Sequence, residues 1–427
     1  MYRDIVTPCC CLKTSRIGYS GSSEELDNLT ATQKPTEGKS QVLPVDDPHF
    51  STISIMEGQD LKPVASDYQI LGLICHVYDG SASIHVARHV SSGHYLSVKK
   101  VDLDMLDREE SGLGSLHKEL SLMRLMQHEH VLPYYSAFVA DRELWVVLPL
   151  MEQGSARDLL DKHFPDGLGE TAIALILHDI LLALDYIHQM GYIHRSIKAS
   201  HIFLSRSGGV YLSGFRTAIS MIREGQRLRA IHDFPANTVQ NLHWLAPETL
   251  EQNLLGYDSR SDIYSLGITA CELANGCIPF SDMVPMKMLL EKINSTTPKL
   301  LDSVTLRDSE GDTSDSQTRR DSGIGGSSYP TLGNEPNPYN RQFSAEFHNF
   351  IEVCLRHDPN KRPSAAELLQ HEFFKQVKKK TTQEVLSSML QSVKPVSYTP
   401  CYVSSTDVAN SVRNLESINL SDEWDFD

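Results

Sequence analysis

Moving a phosphoryl group from a nucleotide to a hydroxyl needs few protein groups. A carboxylate accepts the hydroxyl proton, an Asp and an Asn hold magnesium, and a lysine pairs with the phosphates. The 427-residue chain keeps the spacing of such a site between Tyr192 and Arg216. The stretch reads Tyr-Ile-His194-Arg195-Ser196-Ile-Lys198-Ala-Ser-His201-Ile-Phe203-Leu, then a turn at Gly208-Gly209, then Val-Tyr-Leu-Ser-Gly214-Phe215-Arg216. The proton acceptor's place holds Ser196, the amide ligand's place His201, and the carboxylate ligand's place Gly214. A serine hydroxyl is no base at neutral pH. Glycine brings no side-chain oxygen to a metal. His201 is a metal-ligand type, yet no second His or Cys stands close to it at ligand spacing, so no metal site is assigned.

The elements that would position this stretch recur in register along the chain, and the pattern resembles the protein-kinase signature. Tyr68–Ile74, Ser83–His89 and Tyr95–Val101 read as three strands, with turn signals at Asp79-Gly80 and Ser91-Ser92-Gly93. The three glycines of a phosphate-covering loop fall on Cys75, Val77 and Gly80, and only the last is glycine. Bulkier side chains keep backbone amides away from phosphates, so this loop makes a poor phosphate lid. The third strand carries Lys99. A helix over Ser115–Gln127, with Leu116, Leu120 and Met123 on one face, carries Glu119 at the partner position of that lysine. The alternative is two solvated charges. Leu144–Leu148 reads as a buried strand running into a hinge at Pro149-Leu150-Met151, with Leu148 at the gatekeeper position. Thr171–Met190 reads as a core helix. Ala246-Pro247-Glu248 ends an activation-type segment over 217–245, and Glu248 is expected to pair with Arg362 and staple the large lobe.

The fold class that follows is α+β, a bilobal protein-kinase-like fold with a small β-rich N-lobe and a large, mostly helical C-lobe. The domain reading is a disordered tail over 1–65, a pseudokinase domain over 66–375 (N-lobe about 66–150, C-lobe about 151–375) and a C-terminal tail over 376–427. A low-complexity insert, 303–339, interrupts the C-lobe. Within it, Arg319-Arg320-Asp321-Ser322-Gly has the form of a basophilic phosphosite and a loose acidic degron, a pattern that also arises by chance.

Composition sets outer bounds. A net charge of −16 argues against nucleic acid. The longest apolar run, Ile173–Leu184, is broken by His178-Asp179 and reads as a buried helix, and no leader segment is visible at Met1–Leu12. The eight cysteines follow no disulfide framework, which suits a reducing compartment. Cys9-Cys10-Cys11 reads as an S-acylation or metal-binding cluster, or as thiols in a plain tail. The last residues place Trp424 and Phe426 in an acidic end, where aromatic anchors have a docking role rather than a folding one.

Several of these stretches together identify a resemblance to the STRAD pseudokinase adaptors, relatives of the sterile-twenty-like kinases. They are His194–Ile202, Leu212–Arg216, Gly256-Tyr257-Asp258, Arg260–Tyr264, Ile268–Gly276 and the Trp-x-Phe end. The resemblance implies an adaptor that is not an enzyme. Such an adaptor binds a liver-kinase-B-type serine/threonine kinase as a pseudosubstrate would, and switches it on allosterically. The assembly is a heterotrimer with an armadillo-like helical-repeat scaffold, which docks the Trp-x-Phe end, here Trp424 and Phe426. The complex serves cell-polarity signalling and holds the kinase in the cytoplasm, the nucleus being the other compartment expected. One departure is Asp427, which follows Phe426. The resemblance further implies an ATP site, carried here by Lys99, Glu119, Leu148, Leu150, Lys198, Phe203 and Arg216. Lacking carboxylate and amide ligands, it would take ATP without magnesium, with Lys99, Lys198 and Arg216 as counter-ions. Two other readings stay open: a weakly active serine/threonine kinase, favoured by the retained Lys99 and Glu119, and a scaffold that never binds nucleotide, favoured by the broken glycine loop.

Overall fold

The structure, a computed structural model, describes residues 41–42, 61–77, 80–106, 112–234, 239–305 and 341–400. Ser322, most of the 303–339 insert, Cys9–Cys11, Trp424 and Phe426 lie outside the described residues. The chain forms two lobes.

The small lobe is built on strands β1 (Gln41–Val42), β2 (Tyr68–Val77), β3 (Ala82–His89), β4 (Tyr95–Asp102), β5 (Ser136–Ala140) and β6 (Glu143–Pro149), with helices α1 (Leu103–Leu106) and α2 (Gly112–Leu125) between β4 and β5. β-Branched and aromatic residues recur in each of these strands, as a pleated, half-buried surface favours. One face of β4 sends Leu96 and Val98 into a cluster with Tyr68, Trp145 and Val147. The opposite face sends Val101 toward the main core, the period of two that strands impose.

β2 runs to Val77, beyond the expected Ile74. Cys75 and Val77, read from sequence as loop positions, are paired across the sheet with Ile84 and Ala82. Apolar side chains with cross-strand partners hold this stretch extended, so two of the expected phosphate-loop positions lie in paired strand. β2 also takes two register shifts, at Ile70/Gly72 and Leu73/Cys75.

In the large lobe, α3 (Ala156–Lys162) begins with a capping box between Ser155 and Asp158. Helix α4 (Glu170–Gln189) follows. By length and composition α4 is apolar enough to cross a membrane, yet 72% of its apolar window is buried inside the protein. It is a core helix, as the sequence suggested, and is apolar over most of its surface because other elements cover most of it. Short strands β7 (Tyr192–Ile193), β8 (Ile202–Leu204), β9 (Val210–Leu212), β10 (Ile219–Ser220), β11 (Ile222–Arg223) and β12 (Gln226–Arg227) carry the loop stretch. Then come α5 (Pro247–Leu250), α6 (Arg260–Asn275), α7 (Pro285–Ile293), α8 (Ala345–Cys354) and α9 (Ala365–Leu368). The expected staple forms: Arg362 donates two hydrogen bonds to the Glu248 carboxylate, at 2.6 and 2.7 Å, with both residues buried.

The fold does not stop at Lys375. Helix α10 (Thr382–Leu390) buries Leu386 and Leu390 completely, and strand β13 (Ser397–Pro400) joins the small-lobe sheet. The full sheet order is β1-β13-β2-β3-β4-β6-β5. The sequence reading placed this segment in the C-terminal tail; its partners are far away in the chain.

Candidate functional site

Lys99 sits mid-strand, its Cα opposite Ile84 and Val146, so neighbours on both sides fix its direction. Its Nζ donates to Glu119 Oε1 on α2 at 2.9 Å, with both residues buried. The pair read from sequence is formed. On the same face of β4, Ser97 Oγ donates to the Pro149 carbonyl at 3.2 Å, tying the strand to the hinge.

The loop stretch is held from below by one aspartate that sequence reading had not assigned a role. Asp262 on α6 is fully buried and accepts from His194 N (2.8 Å), Arg195 N (2.7 Å) and His188 Nε2 (2.8 Å). These donors hold its carboxyl below the usual range against the desolvation of burial, His188 foremost among them. The grip forces Arg195 into the left-handed region at φ +63°. The Arg195 side chain then reaches the Thr217 carbonyl at 2.5 Å and the Tyr257 hydroxyl at 2.9 Å. A second unassigned residue, Glu272, lies in the same helix with no exposed surface. It accepts from Ala199 N (3.2 Å), Trp244 Nε1 (3.0 Å) and Arg157 Nη1 (3.3 Å). The one sequence signal for it was a lone acid inside the apolar run Ile268–Ala274.

At the centre, Ser196, His201 and Gly214 are brought together. His201 Nδ1–H donates to the Ser196 carbonyl at 2.8 Å, with the Ser196 hydroxyl 3.1 Å from the same nitrogen. The His201 carbonyl accepts from Ser213 N at 2.9 Å. Gly214 has φ +94°, and a Cβ built on it would lie 2.3 Å from His201 Nδ1. The imidazole thus occupies the room in which a side chain at 214 would start. Desolvation first, and then the Lys198 charge, hold His201 well below the usual imidazole value, so the ring is neutral. His194 behaves likewise, pushed by burial down to about 4 while its Nε2 bonds the Ser213 carbonyl.

The other expected nucleotide residues separate into groups. Lys99 and Lys198 are both buried, and the charge of each works against protonation of His201. Lys198 Nζ stands 5.4 Å from the Trp244 ring centroid, a cation–π arrangement. Leu148, at the gatekeeper position, is buried with its Cα opposite Ser97. Phe203 is half-buried on β8 with a bridge to Ser155, and Arg216 is half-buried directly after the buried Phe215. Leu150 is the exception. It packs in a separate cluster with Val86 and Tyr398, a residue of the C-terminal strand.

The donor set decides what the cleft can hold. Positions 196, 201 and 214 present a hydroxyl, a neutral imidazole and no side chain, and no group of three or more His, Cys, Asp or Glu is placed to hold a metal among the described residues. Magnesium, which demands several oxygens, does not fit. Hinge carbonyls remain able to accept, since a carbonyl oxygen has two lone pairs.

Comparison with known proteins agrees with the fold. The family model described as Protein kinase domain matches residues 79–374. The chain is similar to STE20-related kinase adapter protein alpha of Homo sapiens, 45% identical over 385 residues and covering 88% of each chain. The protein of the same name from Gallus gallus is 47% identical over 340 residues, 78% of this chain and 87% of that one. STE20-related kinase adapter protein beta of Homo sapiens is 41% identical over 329 residues, 75% and 78% respectively.

Proposed function

Because the chain belongs to the STE20-related kinase adapter proteins, with a protein kinase domain as its body, we propose that it acts by binding and not by phosphoryl transfer. It is a pseudokinase adaptor that engages a liver-kinase-B-type serine/threonine kinase and activates it allosterically. The working form is a heterotrimer with an armadillo-like scaffold, docked through Trp424 and Phe426, which retains the kinase in the cytoplasm.

The observation that carries this reading is the His201–Gly214 juxtaposition. A site under selection for transfer keeps the space beside its phosphates open for a metal carboxylate. Here that space is filled by a neutral ring. Meanwhile the parts that hold the fold are intact: Asp262 under the loop and Glu248–Arg362 in the large lobe. ATP, when bound, would supply negative charge for Lys99, Lys198 and Arg216 to gather around, favouring a closed lobe arrangement that the partner kinase recognises. No metal ion enters this reading.

Reconstitution tests it. The chain is mixed with the silent partner kinase and the helical-repeat scaffold, and phosphorylation of a downstream peptide is followed. Activation that falls with Trp424→Ala/Phe426→Ala supports the adaptor. No activation, with slow peptide phosphorylation by this chain alone, supports the second reading of a weak kinase, which the formed Lys99–Glu119 pair favours. Lys99→Met would abolish that residual transfer.

A further inference from the structure

The hinge over 149–154 is one covalent link between the lobes, and the segment 382–400 makes a second crossing. Its first part belongs to the large lobe. Thr381 caps α10 by accepting from Glu384 N, and Leu386 and Leu390 are fully buried in the main core that α4 dominates. The β8–β9 turn comes so close to α10 that a Cβ on Gly208 would lie 2.7 Å from the Gln383 carbonyl oxygen. Its middle part lies on the hinge. Val393 is buried, Val396 N donates to the Glu152 carbonyl at 2.8 Å, and a Cβ on Gly154 would meet Val396 Cγ2 at 3.2 Å. Its last part belongs to the small lobe. β13 pairs antiparallel with β2, Thr399 opposite Leu73 and Pro400 opposite Gly72. Tyr398 is buried with Val86 and the hinge residue Leu150, and its hydroxyl donates to Gln41 Oε1 at 3.2 Å.

We propose that residues 382–400 are an intramolecular strap that fixes the two lobes relative to each other, without any bound nucleotide. The sequence carries the imprint of this contact at Gly72. A Cβ there would lie 2.4 Å from the Thr399 carbonyl oxygen and 2.3 Å from Tyr398 Cδ2. Glycine at this position is needed for the approach of β13, a backbone-to-backbone contact that any side chain would block. Pro400 at the end of the strand cannot donate to a ladder, so β13 pairs over a short length and then stops. To open, the lobes must break the β13–β2 ladder, withdraw Tyr398 from the Leu150 cluster, or pull α10 off the large lobe. The strap is independent of which partner the chain serves, and of whether ATP binds.

The test uses the full chain with spin labels at positions 142 and 361, exposed sites of the small and large lobes. Hydrogen exchange at 72–73 and 399 is read in parallel. The unmodified chain is expected to give one narrow inter-lobe distance and slow exchange at these amides. Gly72→Ala is expected to raise exchange at 399 by about tenfold or more and to broaden or lengthen the distance. Tyr398→Ala, which leaves β2 untouched, is expected to do the same, and stands in should Gly72→Ala not fold. A distance already broad in the unmodified chain overturns the strap. So does a narrow distance retained after the 399 amide has lost protection. Protection of 399 unchanged in both variants overturns the close approach on which the strap depends.

Discussion

Gly214 and His201 share one space: a Cβ on the first would lie 2.3 Å from Nδ1 of the second. The two substitutions are therefore coupled, and neither can be reverted by itself. Gly214→Asp alone puts a branched side chain against the imidazole at φ +94°. Overpacking of this kind costs about 1–3 kcal/mol. Gly214→Asp is expected to lower the melting temperature by a few degrees, on the order of 2–4 °C per kcal/mol, and to give no magnesium-dependent shift. Adding His201→Asn should recover most of the loss. Calorimetry of the two variants and the pair decides it, and a fully additive pair would refute the shared space.

Nucleotide binding without metal has its own outcome. On the proposal that Lys99, Lys198 and Arg216 meet the phosphate charge, millimolar ATP with a chelator is expected to raise the melting temperature as much as ATP with magnesium. Arg216→Ala is expected to reduce the rise. No shift under either condition would leave the scaffold without nucleotide as the better description.

Acid should weaken this fold in a specific window. An unfolded histidine takes its proton near pH 6.5, whereas buried His194 takes it only near 4. Between those values the unfolded chain binds the extra proton, so stability is complete above about pH 6.5 and falls as pH drops toward about 4. The gap is worth about 3 kcal/mol for His194, and His201 adds in the same direction. Denaturant midpoints at pH 7 and pH 5 measure the slope. His194→Phe, which keeps a ring but cannot protonate, should flatten it.

Breaking the large-lobe staple should cost more than any surface change. Arg362→Ala strands the buried Glu248 carboxylate, a loss of about 3–5 kcal/mol, and the same holds in reverse for Glu248→Ala. The double variant, judged by chemical denaturation, is expected to lose much less than the sum.

Lys292 on α7 offers a different kind of test. Fully buried, it donates to the carbonyls of His243 (2.8 Å) and Leu245 (2.6 Å) beneath the end of the activation-type segment, and lies 5.1 Å from the Tyr264 ring centroid. Lys292→Met is expected to leave those carbonyls without their donor, at about 1–3 kcal/mol. Hydrogen exchange across 241–246 should speed up while the small lobe stays unchanged. Unchanged exchange there would mean that the segment is held by other contacts.

Much of the site was legible in the sequence because kinase motifs are local and ordered: Lys99 with Glu119, Glu248 with Arg362, and the three degenerate positions all stand where their spacing put them. What spacing could not show was the ring of His201 filling the room beside Gly214, which depends on a positive φ and on a hydrogen bond to the Ser196 carbonyl. Asp262 and Glu272 were similarly opaque, since each gathers partners from separate parts of the chain, among them backbone amides of a loop more than sixty residues earlier. The segment after Lys375 had a readable helix signal in Val385, Leu386, Met389 and Leu390. Its strand partner β2, however, lies near the other end of the chain, and pairing at that separation leaves no local trace beyond a glycine.

Strand order has a last consequence for how this chain is wired. β1 sits on β13 with Gln41 opposite Tyr398 and Val42 opposite Ser397, so the first and last described strands of the fold are neighbours. In topological terms the folded body is nearly a closed ring. Joining its two ends with a short linker and opening the chain at an exposed turn elsewhere, such as Asp141-Arg142, would preserve every strand pairing. Whatever is attached before residue 41 and after residue 400 therefore shares a single point of departure on the edge of the small lobe.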